Sequence, residues 1–333
     1  MDQTSDAIFW YICLCFCTYS WFSTFWNSSG QSYIQVFLSK IPPLFLFGIT
    51  ELIIGLSAFL SLLVTATDFK IPNVVKVPLS ILPASVHPHP QDVLIIAFGM
   101  GTTFKTAVNL GLDVTTVELV PSVPKLMDYF HSDAKQILSN PKAKVVINDG
   151  RNYVFVTKDT YDLVVIDPPP PVNSAGTTVL YSTEFYKDIE KILRPNGLVT
   201  QWIYFSSRRE DIQMIMKSFL DVYPYILVFN SPKKIGVYLI GSKQPITFGK
   251  EKFLKQFQNP AILKDLDQGE RVKFTAEDIA NLYLGDEKII RNFTGPIFPV
   301  TDNFPRTEYF ILRRLFHSSP RMKIDMLTAN GQK

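Results

Sequence analysis

Cysteine and histidine are scarce in this chain, and no run of like charge occurs. The three cysteines, Cys13, Cys15 and Cys17, lie in the first hydrophobic stretch, so residues 18–333 contain none. A disulfide scaffold and a cysteine-ligated zinc site are therefore excluded from the main part of the chain. The four histidines are scattered, which disfavours a catalytic metal. The formal net charge is only +3 without a basic block, so the composition gives no indication of a nucleic-acid partner.

Hydrophobic residues make up 47% of the chain, and its N-terminal fifth explains this high value. Residues 7–26 contain no charged residue, and residues 44–66 contain only Glu51. About 20 apolar residues span a bilayer, so we predict transmembrane helices at about 7–26 and 44–66. A buried core helix is the alternative for the second segment. The first 39 residues contain no Lys or Arg, which argues against a signal peptide.

The lysines around the second hydrophobic segment predict its orientation. Lys70 and Lys76 follow the segment and only Lys40 precedes it, which places the C-terminal domain in the cytoplasm, below an inner or cell membrane. The predicted organisation is a hydrophobic region over 1–66, a proline-rich linker over 67–91, a main domain over 92–315 and a C-terminal tail over 316–333.

From Asp92 onward, short apolar runs alternate with helical patterns, which is typical of a parallel sheet with crossover helices. We therefore predict an α/β, doubly wound sheet with a closing antiparallel strand pair over 225–241. Residues 246–300 predict only short helices and loops. The predicted strands are 93–98, 114–118, 144–148, 162–167 and 198–205, and the predicted helices are 102–110, 122–138, 182–193 and 209–220.

Small and acidic residues follow the first three predicted strands, at the edge where such sheets bind ligands. Gly99 and Gly101 suit a close backbone approach, and Glu118, 19 residues after Gly99, suits two ribose hydroxyls. Asp149 suits an adenine amino group or the cap of a short helix. The simpler interpretation of the two glycines is a tight turn, and that of Glu118 is a solvent-exposed acid. Together the residues predict an adenosine pocket, and Phe104 in place of a third glycine favours an S-adenosyl ligand over NAD.

Six motifs occur in the order typical of one family: VLIIAFGMGTTFKTAV, TTVELVPSV, VVINDGRNYV, YDLVVIDPPPP, LYSTEFYKDIEKILRPNGLVTQW and TDNFPRTEYF. Over roughly residues 90–312 the chain resembles the spermidine synthase-like family, the polyamine aminopropyltransferase branch of the class I methyltransferase fold. The resemblance implies a Rossmann-like sheet and a donor that is S-adenosylmethionine or its decarboxylated form, with no metal. The residues implied to bind this donor are Gly99, Gly101, Glu118, Asp149 and Gly150. The hydrophobic N-terminus resembles that of the membrane-embedded bacterial members.

The chain departs from the family where the acceptor amine is activated. The family carries Asp-Ser-Ser-Asp-Pro after the fourth strand; Asp167 matches the first aspartate, and Pro170 falls at the second, which takes a proton from the amine. Asp167-Pro-Pro also resembles the Asp-Pro-Pro-Tyr corner of amino-group methyltransferases, with Pro171 in place of the tyrosine. We predict Asp167 as the catalytic acid of the acceptor side. A structural aspartate that bonds its own loop is the alternative.

These patterns lead to one functional hypothesis with two alternatives. The chain is predicted to be a membrane-anchored transferase that moves an aminopropyl or methyl group to an amine-like acceptor. A homodimer is a compatible assembly. The first alternative is a catalytically altered S-adenosyl sensor attached to a membrane partner, and the second is an NAD-dependent oxidoreductase. Packing at the sheet edge is the simpler interpretation of the predicted acceptor pocket. That pocket comprises Pro170, Tyr181, Gln201, Trp202 and Tyr204.

Overall fold

The computed structural model describes residues 79–167, 172, 174, 176–232, 234–256 and 275–328, together with Leu56, Ser57 and Pro260. The chain divides into two compact units, Met1–Val74 and Val75–Lys333. The predicted transmembrane helices lie outside the described residues, apart from Leu56 and Ser57. Within the described ranges, no helix is both long enough and apolar enough to cross a membrane.

The second unit is built on one eight-stranded sheet. Its strands are β1 (Asp92–Ile96), β2 (Asp113–Glu118), β3 (Ala143–Ile147), β4 (Tyr161–Ile166), β5 (Leu193–Tyr204), β6 (Tyr225–Asn230), β7 (Gly236–Ser242) and β8 (Tyr283–Asp286). The spatial order is β3-β2-β1-β4-β5-β7-β6-β8. The first five strands in chain order are parallel, whereas β7 is antiparallel to β5 and β6, and β8 is antiparallel to β6. The predicted α/β, Rossmann-like methyltransferase fold with a closing antiparallel pair is confirmed.

Twelve described helices accompany this sheet. They are α1 (Ile81–Val86), α2 (Thr102–Asn109), α3 (Met127–Phe130), α4 (Ala134–Leu138), α5 (Gly150–Val156), α6 (Thr183–Ile192), α7 (Arg209–Val222), α8 (Lys250–Gln256), α9 (Ala276–Ala280), α10 (Glu287–Thr294), α11 (Phe310–Phe316) and α12 (Ile324–Thr328). One core packs α5, α6, α7, α10 and α12 on one face of the sheet. The second core packs α1, α2, α3, α4, α8 and α9 on the other face. Because both faces are covered, central strands such as β4 are buried at every position and read as continuous apolar runs.

The continuous helix predicted over residues 122–138 is wrong. A 3-10 turn at Pro124–Leu126 leads into α3, and the chain is extended at His131 before α4 begins. Two tertiary contacts accompany this break: the His131 ring nitrogen Nε2 lies 3.1 Å from the Met100 carbonyl, and buried Lys105 pairs with Asp133 at 3.0 Å. These contacts involve residues some thirty positions away or on another helix, so helical periodicity alone does not show them.

Two strand assignments also differ from the sequence prediction. Strand β5 begins at Leu193, because Leu193 pairs with Tyr161 across an irregularity in which Asn196 takes a φ of 64°. Strand β8 falls within the segment that predicted only short helices and loops. Its sequence YLGD contains Gly285 and Asp286, residue types that are depleted in strands. Pairing with β6 therefore produces a strand that local propensity does not indicate.

Candidate active site

The carboxyl ends of β1 to β4 are level along one edge of the sheet, and β5 passes this edge at Gln201 and continues to Tyr204. Ile96 of β1 pairs with Val117 of β2 and Ile166 of β4, Glu118 pairs with Ile147 of β3, and Ile166 pairs with Gln201 of β5. Neighbouring strands lie about 4.8 Å apart, so the edge from β3 to β5 is roughly 19 Å long. Strand order reverses at β1, which places the ligand crevice beside this strand. The residues at or just beyond this edge, in spatial order, are Asp149, Glu118, Gly99, Asp167 and Gln201.

The loop after β1 turns sharply through left-handed backbone conformations. Ala97, Gly99 and Gly101 have φ values of 72°, 57° and 79°. A Cβ atom on Gly101 would lie 3.0 Å from both the Met127 Cγ and the Phe98 ring, so Gly101 permits close packing below the loop. A Cβ atom on Gly99 would meet no atom of the described residues within 4 Å. The backbone at Gly99 is therefore the part of the loop that a ligand can approach.

Glu118 is held against this loop by backbone hydrogen bonds. Its side chain is buried, its Oε2 accepts from the Phe98 N–H at 2.9 Å, and its Oε1 accepts from the Val120 N–H at 2.9 Å. A carboxylate has about four acceptor positions, so each oxygen keeps one for a further donor. Glu118 thus stabilises the loop and remains suited to accept two hydroxyl hydrogens.

Asp149 and Gly150 begin α5 at the end of β3. The exposed Asp149 carboxylate accepts from the Asn152 N–H at 2.8 Å and caps the helix, as the capping interpretation of the sequence predicts. A Cβ atom on Gly150 would lie 2.6 Å from Ile96 Cγ2. Gly150 is therefore required for the close packing of α5 on β1, and its role near an adenine ring stays a prediction.

Asp167 lies where β4 leaves the sheet. Its backbone N–H donates to the Ile96 carbonyl at 3.1 Å, and its Oδ2 accepts from the Thr103 hydroxyl at 3.3 Å. Burial, and secondarily the negative charge of Asp167, raise the pKa of Tyr181 and of Tyr238. Both phenols are therefore neutral at physiological pH, and they accompany a carboxylate at the edge of the sheet. Thr103 and Tyr238 were not predicted from the sequence, since each lies far from Asp167 along the chain.

Gln201 brings an unsatisfied donor to the same edge. The side chain is fully buried, and its Oε1 accepts from the Tyr186 hydroxyl at 2.7 Å. Its Nε2 has no hydrogen-bond partner within the part of the chain that the structure describes. Leaving a buried amide donor unpaired costs about 1–3 kcal/mol, so a ligand or water that accepts from it would be favoured.

The predicted acceptor residues divide between the two faces of the sheet. Successive strand residues point to opposite faces. Gln201 contacts the core that contains Tyr181, whereas Trp202 packs into the opposite core. The Trp202 ring is tilted by 43° to that of Tyr204, and the ring centroids are 5.5 Å apart. Pro170 lies outside the described residues. The structure thus separates two halves of a pocket that the sequence grouped together.

The chain matches a family model described as the spermine/spermidine synthase domain over residues 74–251, which is more than half of its length. The chain belongs to this family. A polyamine aminopropyltransferase of Sulfurisphaera tokodaii is 32% identical over 152 residues, which cover 42% of this chain and 49% of that protein. Another, of Desulforudis audaxviator, is 30% identical over 173 residues, which cover 49% of this chain and 62% of that protein.

The match to these relatives is partial. The chain spans about half of the length of the first of these relatives and about three fifths of the second. The crystal structure of spermidine synthase from Thermotoga maritima is similar with a TM-score of 0.48 and 21% sequence identity, over 66% of this chain and 73% of that one.

One ion pair links the family segment to residues beyond its end. The Arg151 guanidinium on α5 makes two hydrogen bonds to the Asp302 carboxylate, one of them 2.8 Å long. The Asp302 N–H donates to Glu184 on α6 at 3.0 Å. The Arg151 hydrogen bond lowers the pKa of Asp302. The TDNFPRTEYF motif therefore connects two helices that begin at the ligand edge.

Proposed function

We propose that this chain is a transferase that moves an aminopropyl group from decarboxylated S-adenosylmethionine to an amine acceptor. The observation that carries the proposal is the pair of carboxylates on either side of β1. Glu118 is fixed at the glycine loop, and Asp167 lies two strands away, about 10 Å at the usual spacing. This spacing leaves room for a nucleoside sulfonium between a hydroxyl-binding acid and an amine-binding acid.

Residues of the first three strands would hold the donor. The open backbone at Gly99 permits close approach, the remaining acceptor positions of Glu118 suit the ribose hydroxyls, and Asp149 presents an exposed carboxylate near the adenine position. The buried unpaired Gln201 Nε2 offers one more donor on the acceptor side. When bound, the donor supplies a carbon that a neighbouring sulfonium makes electrophilic.

Asp167 would orient the acceptor amine and accept its proton. A carboxylate attracts an ammonium group, and the ring of Tyr181, on the same face of the sheet as Gln201, suits a favourable contact with a cation. Pro170 occupies the sequence position of the second family aspartate. We therefore assign both orientation and proton acceptance to Asp167. Aminopropyl transfer is favoured over methyl transfer by the names of the curated relatives.

The N-terminal hydrophobic segments support a membrane-anchored form of this enzyme. Residues 7–26 and 44–66 have the length and composition of membrane-spanning helices, and the lysines after the second segment favour a cytoplasmic transferase domain. We propose both the membrane anchoring of the chain and the cytoplasmic location of its transferase domain. A homodimer stays a prediction of the family resemblance.

Ligand titration of the full chain tests the adenosine half of the proposal. Calorimetry with methylthioadenosine and both forms of S-adenosylmethionine should show binding, and NAD should show none. Glu118→Gln places an amide NH2 group against one of the two backbone N–H donors and removes the charged acceptor for the hydroxyls. A hydrogen bond to a charged group contributes about 1.5–3 kcal/mol, so methylthioadenosine should bind about 10- to 100-fold more weakly.

The control for this experiment is Asp159→Asn, an exposed carboxylate just before β4, at the other end of the strands. It should bind methylthioadenosine as the unmodified chain does.

Incubation with decarboxylated S-adenosylmethionine and putrescine or spermidine, followed by mass spectrometry, should show amine products. Binding without product from any amine would instead identify the sensor alternative, and no S-adenosyl binding would overturn both.

A further inference from the structure

Helix α11 directs an apolar face to solvent. Ile311, Leu312, Leu315 and Phe316 are 65%, 57%, 73% and 79% exposed. At 100° per residue, these four side chains occupy one arc of about 140°, which we call the α11 face. Single exposed apolar residues are ordinary, whereas a contiguous exposed group marks a contact surface.

The opposite side of α11 is attached to the body of the domain. The Arg313 guanidinium pairs with Asp211 and, at 3.3 Å, with Glu210, both in the first turn of α7. Its Nε also donates to the Arg306 carbonyl at 3.0 Å. These contacts fix the rotation of the helix, so the α11 face cannot turn inward without breaking them.

Exposed aromatic residues lie beside this attachment. Phe298 and Phe304 are 70% and 61% exposed, and the Arg306 guanidinium lies 5.2 and 5.1 Å from their ring centroids. Arg306 is the residue whose carbonyl accepts from Arg313. The apolar surface near α11 therefore carries a cation held among aromatic rings.

Positive charge is concentrated in the same segment. Residues 303–324 contain five Lys or Arg side chains and one carboxylate, Glu308, giving a net charge of +4. The whole chain has a net charge of +3, so the rest of it is slightly negative. The carboxylates of Asp211 and Glu210 neutralise the charge of Arg313. The other basic residues of the segment are Arg306, Arg314, Arg321 and Lys323.

We infer that the α11 face binds the surface of an anionic lipid bilayer. A helix with apolar side chains on one face and Arg or Lys beside it lies in the bilayer interface, where anionic headgroups attract the cations. A second copy of the chain fits less well, because pairing two such segments would bring like charges together. This contact is distinct from the N-terminal anchor and does not depend on the proposed transferase activity.

Hydrogen exchange of the full chain in nanodiscs tests this inference. The probes are nanodiscs of phosphatidylcholine alone and nanodiscs that also contain phosphatidylserine. Amides of α11 should exchange at least about 5-fold more slowly with phosphatidylserine, since the contact adds to the local stability of the helix. Amides of α10 should exchange equally in both lipids.

The double variant Leu315→Asp/Phe316→Asp should abolish the lipid-dependent difference in exchange. Its melting temperature should be unchanged, because both side chains lie in solvent.

A matched variant distinguishes the α11 face from exposed apolar residues in general. Phe155, on α5, is 72% exposed and lies outside residues 303–324. Phe155→Asp should retain the slow exchange of α11 with phosphatidylserine. Equal exchange of α11 in the two lipids would overturn the inference. Protection that rises with protein concentration and not with phosphatidylserine would also overturn it, and would identify a second copy as the partner.

Discussion

At the scale of single residues, Asp167 is the group on which the proposed chemistry depends. It is positioned from two directions, by its backbone N–H to Ile96 and by the Thr103 hydroxyl. Burial, and after it the negative charge of Asp167, raises the pKa of Tyr181 and of Tyr238. The carboxylate thus lies at the edge of the sheet with its orientation set by the fold.

Asp167→Asn should reduce turnover with little effect on donor binding. The amide keeps the size of the side chain and removes the proton acceptor, so kcat should fall by about 10²- to 10⁴-fold. Calorimetry should give an unchanged dissociation constant for methylthioadenosine. Asp159→Asn, the control used for Glu118, should keep full turnover. Undiminished turnover in Asp167→Asn would remove this residue from the mechanism.

At the scale of elements, helix α5 is positioned by its first residues. The Asp149 side chain caps it, and Gly150 allows its first turn to approach Ile96 of β1. The helix begins at the end of β3, beside the proposed adenine position. Its placement therefore controls the shape of the donor half of the site.

Gly150→Ala should destabilise the domain through this contact. The added methyl group would lie 2.6 Å from Ile96 Cγ2, and such overpacking costs about 1–3 kcal/mol. Thermal unfolding followed by circular dichroism measures the change. In an Ile96→Ala background the cost should become smaller, since the two positions are in contact.

Gly249→Ala is the matched control for this element. Among the described residues, the atom nearest to its Cβ would be Lys252 Cβ at 3.8 Å, an ordinary contact. The change in unfolding free energy should stay within about 0.5 kcal/mol. Equal effects of Gly150→Ala in the presence and absence of Ile96 would contradict the proposed clash.

At the scale of the whole molecule, the segment around residue 300 joins helices from distant parts of the chain. Asp302 pairs with Arg151, and its N–H donates to Glu184. The Thr183 N–H donates to the Val300 carbonyl at 3.0 Å. These bonds connect the start of α5, the start of α6 and the C-terminal segment, so the ligand edge depends on residues beyond the family match.

The Arg151–Asp302 pair predicts a loss of stability in acid. The Arg151 hydrogen bond holds the pKa of Asp302 below its usual value, which is about 4 in an unfolded chain. Its stabilisation is therefore complete above about pH 4 and is lost as the pH falls through the lowered folded value. The unfolding free energy of the unmodified chain should exceed that of Asp302→Asn by up to about 1 kcal/mol at pH 5–7.

Urea unfolding at a series of pH values between 7 and 3 measures this difference. The difference between the two chains should narrow below about pH 4, where the carboxylate of the unmodified chain begins to be protonated. Asp159→Asn provides the comparison, since Asp159 is exposed at the opposite end of the strands. A difference that stays constant or grows toward acid would contradict the role given to this pair.

The local sequence pattern was sufficient to predict the parallel strands of the central sheet and the residues at their carboxyl ends. The apolar runs of β1, β2 and β4 are long enough to identify buried strands, and parallel topology brings their carboxyl ends to one edge. For that reason Glu118 and Asp167 could be selected before their surroundings were known. The capping interpretation of Asp149 also followed from its position at a strand end before a short helix.

Contacts between distant residues were decided only by the tertiary structure. The break between α3 and α4, strand β8, and the hydroxyl of Thr103 on Asp167 each depend on partners far away along the chain. The separation of Gln201 from Trp202 follows from the alternation of side chains across a sheet whose two faces are both buried. Sequence periodicity shows which local conformation buries apolar surface. It therefore determined where most helices and strands form and which residues lie at their ends. Packing selects which of those residues meet, and it alone decided how the site is assembled.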